Sequence, residues 1–573
     1  TAADVNAVAA LDAIVFEDAA SSVVYADASH ALVLKADLSG PGSFVANGAK
    51  KITLSGDNHL LTGALALTNT PVEVASRYGF GSRDSHVSLC QTGKGGTLTF
   101  TATGPDLVLD APVLVDGSFT FGPESTTDTL IISNDLRQVT GGATATTYFR
   151  FKNKVRYESG TFGALSGSHM YPNIGKSCEI WITGETRIST VGSLYWMMNG
   201  GKSSKVHWDI PDEQIDKMTA ICPQLNGPGV FVCERDNLLL GSHYFNCYVV
   251  ANASSTEGYL DLNGHDQTTL YLFNVGTATE AGMQYAVVTS GVPATVTITQ
   301  SNGSTYTMAY MFRGAASLHF AGGKSSKHCL RNAVSDTTGE LKVSSGTVKA
   351  DATTTFSALG ALDVGAAGVF VSEADVFAAA PVEAVVAVGG KIAPAANTTL
   401  TLKSLTHDGK PVVPGTYSSA EWMTSAAEAT VTVATYPTVV WTQADYDAYM
   451  QTHDVIDFPG GTLVFDYDST MSSTVSCPIT GGMALEIRGT GGTIVFSGTS
   501  TYTGGTTISG ATRVEVKNGK AFGSGKITVA GTASSDYAAG PGLFFRGSFA
   551  IDNPIEVTKL SYLSFYDGTI NVN

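Results

Sequence analysis

Residues 501–530 read TYTGGTTISGATRVEVKNGKAFGSGKITVA, and this stretch decides the fold. It contains three short runs of strand-forming residues, Thr506–Ile508, Val514–Val516 and Ile527–Val529. The last two alternate apolar and polar side chains, which predicts half-buried β-strands, and the glycines between the runs allow tight turns. Strands of roughly three to six residues followed by turns are typical of a β-helix, in which each coil lays its strands on those of the coil below.

Short alternating runs of this kind continue through the rest of the chain. They include Thr97–Phe100, Thr295–Thr299, Leu341–Val343, Leu400–Leu402 and Val431–Val433. Helices are expected only where an acidic start precedes helix-tolerant residues, at Asp4–Ala10, Asp445–Thr452 and Asp212–Ala220. We therefore predict an all-β solenoid with coils of roughly 20 to 30 residues.

The composition agrees with stacked strands and argues against some partners. Charged residues make up 14% of the 573 residues, against about 25% in a typical globular protein. The formal net charge of -17 would repel a phosphate backbone, so nucleic acid is not an expected partner. The most apolar long stretch, Phe377–Ala396, contains Glu383, Lys391 and two prolines, so no membrane span is expected.

The chain matches itself at an offset of 442 residues. The segment Val72-Glu73-Val74 returns as Val514-Glu515-Val516, and Phe80-Gly81-Ser82 returns as Phe522-Gly523-Ser524. The same register relates Asp12, Ile14 and Phe16 to Asp454, Ile456 and Phe458, and Asp110, Pro112 and Val115 to Asp552, Pro554 and Val557. Glycines alone would not keep one register over such a length, so the match indicates a duplication.

The duplication predicts two homologous units. Residues 1–436 are the first large β-solenoid unit, with residues 140–340 as a divergent middle region, and residues 437–573 are the start of a second unit. Because the sequence stops part-way through the second unit, we expect the natural protein to continue or a neighbouring copy to complete it. Units of this kind build long molecules.

The stretch quoted above resembles the autotransporter-associated β-strand repeat. Members of that family show a Tyr-Thr-Gly-Gly-Thr-Thr-Ile start, a Leu/Val-x-Val strand, an Asn, an Ala-Leu-Gly-like turn and an Ile-Thr-Val strand. These elements fall on Tyr502–Ile508, Val514–Val516, Asn518, Ala521–Gly523 and Ile527–Val529. The first-unit counterpart departs from the signature at Leu60–Ala64. The clear resemblance covers about a quarter of the chain and is specific for architecture.

The resemblance implies a right-handed parallel β-helix of the passenger type, exported to the bacterial cell surface. The complete fold prediction is an all-β, right-handed parallel β-helix or solenoid with a loop-rich central insertion and few short helices. The expected function is that of a secreted structural or adhesive protein whose tandem units form a rod or filament, and not that of an enzyme. Open β-helix ends carry unpaired strand edges, so self-association is expected, with glycans or a host surface as further partners.

Residues 140–340 hold the candidates for binding and chemistry. Trp181, Trp196 and Trp208 are candidate glycan contacts, because an exposed indole combines an apolar body with a polar end. The alternative is a polysaccharide lyase or hydrolase that uses His207 or Arg150 as its base. Further polar residues of the region are Arg156, Asp209, Asp212 and Glu213. Their spacing does not show that they converge, and ordinary packing of a side insertion explains them as well.

The cysteines and histidines do not predict a metal or a cofactor. None of the seven cysteines forms a Cys-x-x-Cys pair, and the histidines lack metal-ligand spacing. Cys222, Cys233 and Cys247 could hold one disulfide in an oxidising compartment. They could equally be small buried apolar side chains. No catalytic, cofactor-binding or metal-binding residue is therefore assigned.

Overall fold

A computed structural model gives the architecture of the chain. It describes residues 12–572 apart from 92–95, 105–106, 140–148, 167–168, 171, 190–192, 199–202, 217–219, 225–228, 238–243, 246–257, 270–271, 273–285, 302, 304, 309, 332–333, 468–471, 532–540, 559–560 and 567–568. Strands account for 53% of the chain and helices for 2%, and parallel coils stack into a β-solenoid of about 20 turns. The predicted all-β solenoid is confirmed.

The strands of the first part of the chain are short, and most have three to five residues. In chain order they are β1 (Ala13–Val15), β2 (Ser22–Tyr25), β3 (Ala31–Leu34), β4 (Asp37–Ser39), β5 (Ser43–Asn47), β6 (Lys51–Leu54), β7 (Ala64–Thr68), β8 (Val72–Val74), β9 (His86–Cys90), β10 (Leu98–Phe100), β11 (Val108–Leu109), β12 (Val113–Asp116), β13 (Phe119–Phe121), β14 (Thr129–Ile132), β15 (Leu136–Gln138), β16 (Phe149–Phe151), β17 (Lys154–Tyr157), β18 (Gly160–Ala164), β19 (His169–Met170), β20 (Asn173–Ile174), β21 (Glu179–Ile182), β22 (Thr186–Ser189), β23 (Ser193–Met198), β24 (Lys205–Trp208), β25 (Ala220–Gln224), β26 (Val230–Cys233), β27 (Tyr244–Phe245), β28 (Gly258–Asp261), β29 (Gln267–Thr269), β30 (Ala286–Ile298), β31 (Thr305–Met308), β32 (Tyr310–Phe320), β33 (Lys327–Leu330), β34 (Val334–Ser335), β35 (Glu340–Ala350) and β36 (Thr355–Phe356).

The remaining strands follow the same pattern. They are β37 (Ala361–Ser372), β38 (Val382–Val386), β39 (Lys391–Pro394), β40 (Thr399–His407), β41 (Lys410–Pro411), β42 (Gly415–Tyr417), β43 (Thr430–Val433), β44 (Thr438–Trp441), β45 (Ile456–Phe458), β46 (Thr462–Tyr467), β47 (Ser472–Val475), β48 (Ile479–Gly481), β49 (Ala484–Gly489), β50 (Thr493–Phe496), β51 (Thr506–Ser509), β52 (Arg513–Val516), β53 (Ile527–Ala530), β54 (Gly542–Arg546), β55 (Phe549–Ile551), β56 (Ile555–Val557), β57 (Tyr562–Tyr566) and β58 (Ile570–Val572). Each alternating run quoted from the sequence falls on a strand, so those predictions are confirmed.

The chain divides into two compact units. Unit 1 comprises residues 1–342 and 346–359, and unit 2 comprises residues 343–345 and 360–573. The predicted boundary near residue 436 separates sequence repeats and stays a prediction.

Unit 1 is built from parallel ladders in which strands of successive coils pair side by side. One ladder follows β2, β5, β7, β9, β12, β15, β18 and β22, and a second follows β13, β16, β20, β23, β25 and β27. A third runs from β11 through β14, β17, β21, β24, β26 and β28 to β30 and β32. Val155 pairs with Ile180 and Ile180 with Val206, so a coil takes about 25 residues, within the predicted range.

The core of unit 1 lies between these ladders. Val155, Ile180, Val206 and Phe231 occupy one register line, and none of them is exposed. Their sequence neighbours point outward because successive side chains of a strand alternate between the faces of a sheet. Fully burying an aliphatic or aromatic side chain of this kind stabilises the fold by about 1.5–3 kcal/mol. The stability of unit 1 therefore comes in part from rows of buried side chains that are repeated from coil to coil.

Most of the described strands of residues 140–340 belong to these ladders. Apart from β19, which pairs with the later strand β23, strands β16 to β28 each pair with a strand of the preceding coil. This corrects the expectation that the region projects sideways as an insertion. The reason lies in runs such as KVRY, EIWI and KVHW, which present alternating apolar positions to the interior like those of the flanking coils.

The predicted short helices have three different outcomes. Helix α1 spans Gln443–Met450, which confirms the helix expected at 445–452. It begins with a capping box of Thr442 and Asp445 and buries Tyr446 and Tyr449. Among the described residues of 212–220, a single 3-10 turn spans Asp212–Gln214, residues 215 and 216 are not helical, and β25 begins at Ala220, so the predicted helix was wrong. The helix predicted at 4–10 lies outside the described residues.

In unit 2, α1 packs against the first strands of a parallel ladder. That ladder follows β44, β46, β49, β51, β53 and β56, and a second follows β47, β50, β52, β54 and β57. The ring of Tyr449 lies 4.7 Å from that of Trp441, centroid to centroid, and stacks on His453 at 4.1 Å. The helix therefore covers the edge strand β44 with aromatic side chains, which shields part of that edge.

The duplication seen in the sequence is also present in the strand pairing. Ile52 pairs with Val72 in unit 1, and the corresponding Ile494 pairs with Val514 in unit 2. A β-carbon on Gly40 would lie 2.0 Å from the carbonyl oxygen of Phe16, and one on Gly481 would lie 1.9 Å from that of Phe458. Both glycines have positive φ, so the same close approach of two coils is built twice.

Candidate functional site

The candidate site lies on the outer face of β17, β21, β24, β26 and β28 in unit 1. The register places Arg156, Trp181, His207, Val232 and Asp261 side by side on successive coils. Each of these residues is flanked in sequence by buried core residues, so the pleat of the strand turns it outward. Residues about 25 positions apart in sequence thus become neighbours on one surface.

The centre of this row is an imidazole held between two carboxylates. Nδ1 of His207 lies 2.6 Å from Oε1 of Glu234, and Nε2 lies 2.9 Å from Oε1 of Glu179. The ring also stacks on the indole of Trp181, with 5.0 Å between centroids and 12° between planes. The imidazole and the two carboxylates therefore join three successive coils.

The carboxylates around His207 have further partners. Oε2 of Glu234 accepts from the side-chain amide of Asn263 at 3.2 Å. Oδ1 of Asp261 accepts from the backbone N–H of Asn263 at 3.0 Å. Burial raises the pKa of Asp261, with Glu234 adding to the increase, while that N–H and the charges of Lys205 and His207 oppose it. Glu179, His207, Glu234, Asn263 and Asp261 therefore form a connected polar network.

A shallow depression of about 520 Å³ lies beside the network. Two ion pairs border it: Arg156 Nε donates to Glu158 at 3.0 Å, and Arg235 Nε donates to Asp209 at 2.6 Å. Side chains of these four residues are 36–47% exposed. Both arginines are thus neutralised by a carboxylate from their own surface.

Two of the three tryptophans predicted as glycan contacts are in the core. Trp196 and Trp208 are fully buried, with 5.8 Å between their ring centroids, so they cannot reach a ligand on the surface. This corrects their assignment. Trp208 follows the outward His207 in the strand, so the alternation of side chains turns it inward. Trp181 is partly exposed on the outer face, where its prediction as a glycan contact stays open.

The residues predicted for catalysis do not all meet. His207 lies in β24, and Asp209 directly follows the end of that strand. Arg156 lies in the same row as His207. Arg150 belongs to β16, in a different ladder, and is exposed between the buried Phe149 and Phe151. Glu213 is exposed in the 3-10 turn that also contains Asp212. The structure thus brings His207 to Glu179 and Glu234, which the sequence had not singled out.

Glu179 and Glu234 could have been found from coil spacing. Each lies about one coil from His207 in sequence, and parallel stacking places residues with that spacing side by side. Without strand bounds, the exact partner could not be chosen, because a one-residue shift turns a side chain to the other face.

The described residues contain no group of three or more His, Cys, Asp or Glu side chains arranged to hold a metal ion. Burial raises the pKa of the Cys178 thiol to about 12, and burial also raises the pKa of Cys233. Both behave as small core residues, and Cys233 forms no disulfide. The side chains of Cys222 and Cys247, the other members of the possible disulfide, lie outside the described part of the structure.

No family model, no curated protein and no solved structure matches this chain.

Proposed function

We propose that this chain belongs to a secreted structural or adhesive protein of the bacterial cell surface, whose tandem β-solenoid units form a rod or filament. The observation that carries the proposal is the repeated ladder: the pairing of Ile52 with Val72 returns as the pairing of Ile494 with Val514. Repetition of one stacking unit extends a molecule along one direction, which is the property that a fibre or a stalk needs.

The use of charged side chains supports a scaffold. Many outer-face ions pair with a residue one coil away, as Lys51 does with Glu73, Arg187 with Asp216, and Lys526 with Glu556. A single exposed pair contributes about 0–1 kcal/mol. Repeated along a ladder, such pairs favour one register between coils.

Export also fits this architecture. Neighbouring coils make contacts over only about one coil of sequence, so a chain that emerges unfolded could fold coil by coil. The resemblance of residues 501–530 to the autotransporter-associated repeat supports the same route to the cell surface. Within the described residues, none of the helices has the length and hydropathy needed to cross a membrane.

Self-association is the part of the proposal that is tested most directly. Strand β2 pairs with β5 on one side and with no described strand on the other, and its Val24 is 64% exposed. An unpaired strand edge with apolar side chains favours pairing with another chain. Purified protein should therefore form particles that lengthen with concentration in electron microscopy and sediment faster in analytical ultracentrifugation.

A matched pair of variants distinguishes pairing at the strand edge from nonspecific hydrophobic association. Val24→Lys should shift association to higher concentration, because charges on an edge strand oppose pairing. Val385→Lys changes another exposed valine, 48% exposed, on β38, where it pairs with Asp363 on one side and Thr406 on the other, and should leave association unchanged. Compact monodisperse particles at every concentration would contradict the filament.

Glycan binding through Trp181 is the second candidate function, because this tryptophan reaches the outer face. Its fluorescence should change when a bound sugar covers it, and Trp181→Phe should remove that change. A lyase or hydrolase has less support, because both nitrogens of His207 face carboxylates and Arg150 lies in another ladder. A screen of acidic glycans, with His207→Ala as control, would contradict this ranking if it showed turnover that the variant loses.

A further inference from the structure

A separate cavity of about 340 Å³ opens on the outer face of the ladder β7, β9, β12, β15 and β18 in unit 1. Its lining includes His86, Pro112, Leu114, Asp135, Arg137 and Leu165. The volume lies at the lower end of the range for small-molecule sites, and a mainly apolar wall with a few polar groups is typical of them. It is distinct from the His207 network, which lies in another ladder.

Strand register explains why the cavity stays open. Leu114 pairs with Ser88 on one side and with Arg137 on the other, and Arg137 pairs in turn with Gly163. Ser88, the small residue at one end of this row, lines the cavity together with Leu114 and Arg137. At the other end the backbone fills the space, because a β-carbon on Gly163 would lie 1.6 Å from the carbonyl oxygen of Ser189.

Arg137 brings a positive charge without a carboxylate partner. It forms no ion pair with any described residue, and its Nε is buried without a hydrogen-bond partner. The pKa of Asp216 is lowered mainly by its hydrogen bond from Arg187 and least by the charge of Arg137. The carboxylate of Asp216 already accepts from Nε of Arg187 at 3.0 Å. A guanidinium is a planar fork that matches a carboxylate with two parallel hydrogen bonds. Arg137 is therefore suited to an incoming carboxylate.

The other polar groups call for hydroxyls on the same ligand. Oδ1 of Asp135 accepts from the backbone N–H of Thr161 at 2.7 Å, which leaves Oδ2 to accept from a ligand. The exposed imidazole of His86 can donate or accept at the rim. Leu114 and Pro112 offer an apolar surface for C–H groups. Carboxylate, hydroxyls and a C–H face occur together in a hexuronic acid.

We propose that this cavity binds a hexuronic acid residue of an acidic glycan. The sugar carboxylate pairs with Arg137, a ring hydroxyl donates to Asp135, and the C–H face of the ring packs on Leu114. The net charge of -17 repels anionic polymers in general, so binding depends on this local positive charge. The site does not require the filament proposed above, and either proposal can fail alone.

Isothermal titration calorimetry of the whole chain with trigalacturonate and with glucuronic acid tests the proposal. Wild-type protein should bind at least one of the two and should not bind maltotriose, which lacks the carboxylate. Arg137→Gln should weaken binding at least about tenfold, because a bidentate charge-assisted contact is lost. Arg488→Gln is the matched control: Arg488 lies on an outer face but is paired with Asp466, and binding should be unchanged.

A second variant keeps the test decisive if Arg137→Gln folds poorly. Leu114→Glu places a carboxylate opposite Arg137 in the register, where it should occupy the guanidinium and abolish uronate binding while the fold is retained. Circular dichroism checks the fold of both variants. The proposal is overturned if neither uronate binds, if maltotriose binds equally well, if Arg137→Gln has no effect, or if only an acetylated peptide with a free C-terminal carboxylate binds.

Discussion

The indole of Trp181 lies flat against the imidazole of His207, one coil further along the chain, with 5.0 Å between their centroids. The pair shows how a solenoid face converts sequence spacing into contact. Two strands that neither follow each other nor share a turn present their outward residues in register. The polar network of Glu179, His207 and Glu234 is built on this relationship.

The first prediction concerns His207. His207→Ala removes the stack on Trp181 and leaves Glu179 and Glu234 facing each other without a bridging donor. We expect the free energy of unfolding to fall by about 1–2 kcal/mol, since the hydrogen bonds are charge-assisted but partly exposed. Urea denaturation followed by circular dichroism measures the change. His30→Ala, which removes a pair whose imidazole is 54% exposed, is the control and should leave the free energy of unfolding nearly unchanged. Equal effects of the two variants would refute the network.

The second prediction separates buried from outward tryptophans. Trp208→Ala should destabilise unit 1 by about 3–5 kcal/mol, because it leaves a cavity among fully buried side chains. Trp181→Ala should cost clearly less, since its indole is partly exposed. Thermal unfolding of both variants gives the comparison. A larger loss for Trp181→Ala would show that the assignment of the two faces is wrong.

The third prediction uses two glycines with the same backbone angle. Gly48 and Gly314 both have φ of +64°, but a β-carbon on Gly48 meets no atom within 4 Å, whereas one on Gly314 would lie 2.3 Å from the carbonyl oxygen of Ser290. Gly48→Ala should therefore cost only the left-handed strain of about 1–2 kcal/mol. Gly314→Ala should cost about 1–3 kcal/mol more, because two coils must separate. Similar denaturation midpoints would mean that the coils do not approach this closely.

The fourth prediction is a pH dependence from His328, which is 2% exposed beside the ring of Phe320. Burial lowers the pKa of His328 to about 4, from an ordinary value of 6.5. The unfolded chain therefore binds a proton more readily than the folded chain between these values. The stability that depends on His328 is fully present above pH 6.5 and is lost progressively as the pH falls towards about 4.

Replacement of this histidine should flatten that profile. In His328→Leu, stability should decrease less between pH 6.5 and pH 4 than in the wild type, because residue 328 no longer takes up a proton on unfolding. Denaturation midpoints measured across this pH range give the comparison. His86→Leu, at an exposed position without an ion pair among the described residues, should keep the wild-type profile. An unchanged slope in His328→Leu would show that the imidazole is not buried as neutral base.

Much of the fold could be read from local pattern. Runs such as Thr430–Val433 alternate along the strand, and the strand period, unlike the helix period, places every second side chain inside. The duplication was visible because Phe80-Gly81-Ser82 and its counterpart keep one register. The middle region was misjudged, because its aromatic and charged residues suggested a different element although the interior positions still alternate.

The candidate sites could be predicted only in part, because each is assembled across coils. His207 and Trp181 were singled out by residue type, whereas Glu179 and Glu234 had no feature that marked them. Trp196 and Trp208 were placed on the wrong side, since residue type does not tell which phase of the alternation faces the core. Arg137 was not noticed, because an arginine becomes a candidate only once its lack of a carboxylate partner is known.

The sequence by itself determined that the chain forms short strands separated by glycine turns, that these strands stack, and that part of its pattern recurs at an offset of 442 residues. These properties follow from periodicity and repetition, which are local or self-comparing features. Only the tertiary structure decided which residues meet on the surface, such as His207 with two glutamates and Leu114 with Arg137. The reason is that the register between coils depends on how many residues each turn takes, and a shift of one residue exchanges the inside of the solenoid for its outside.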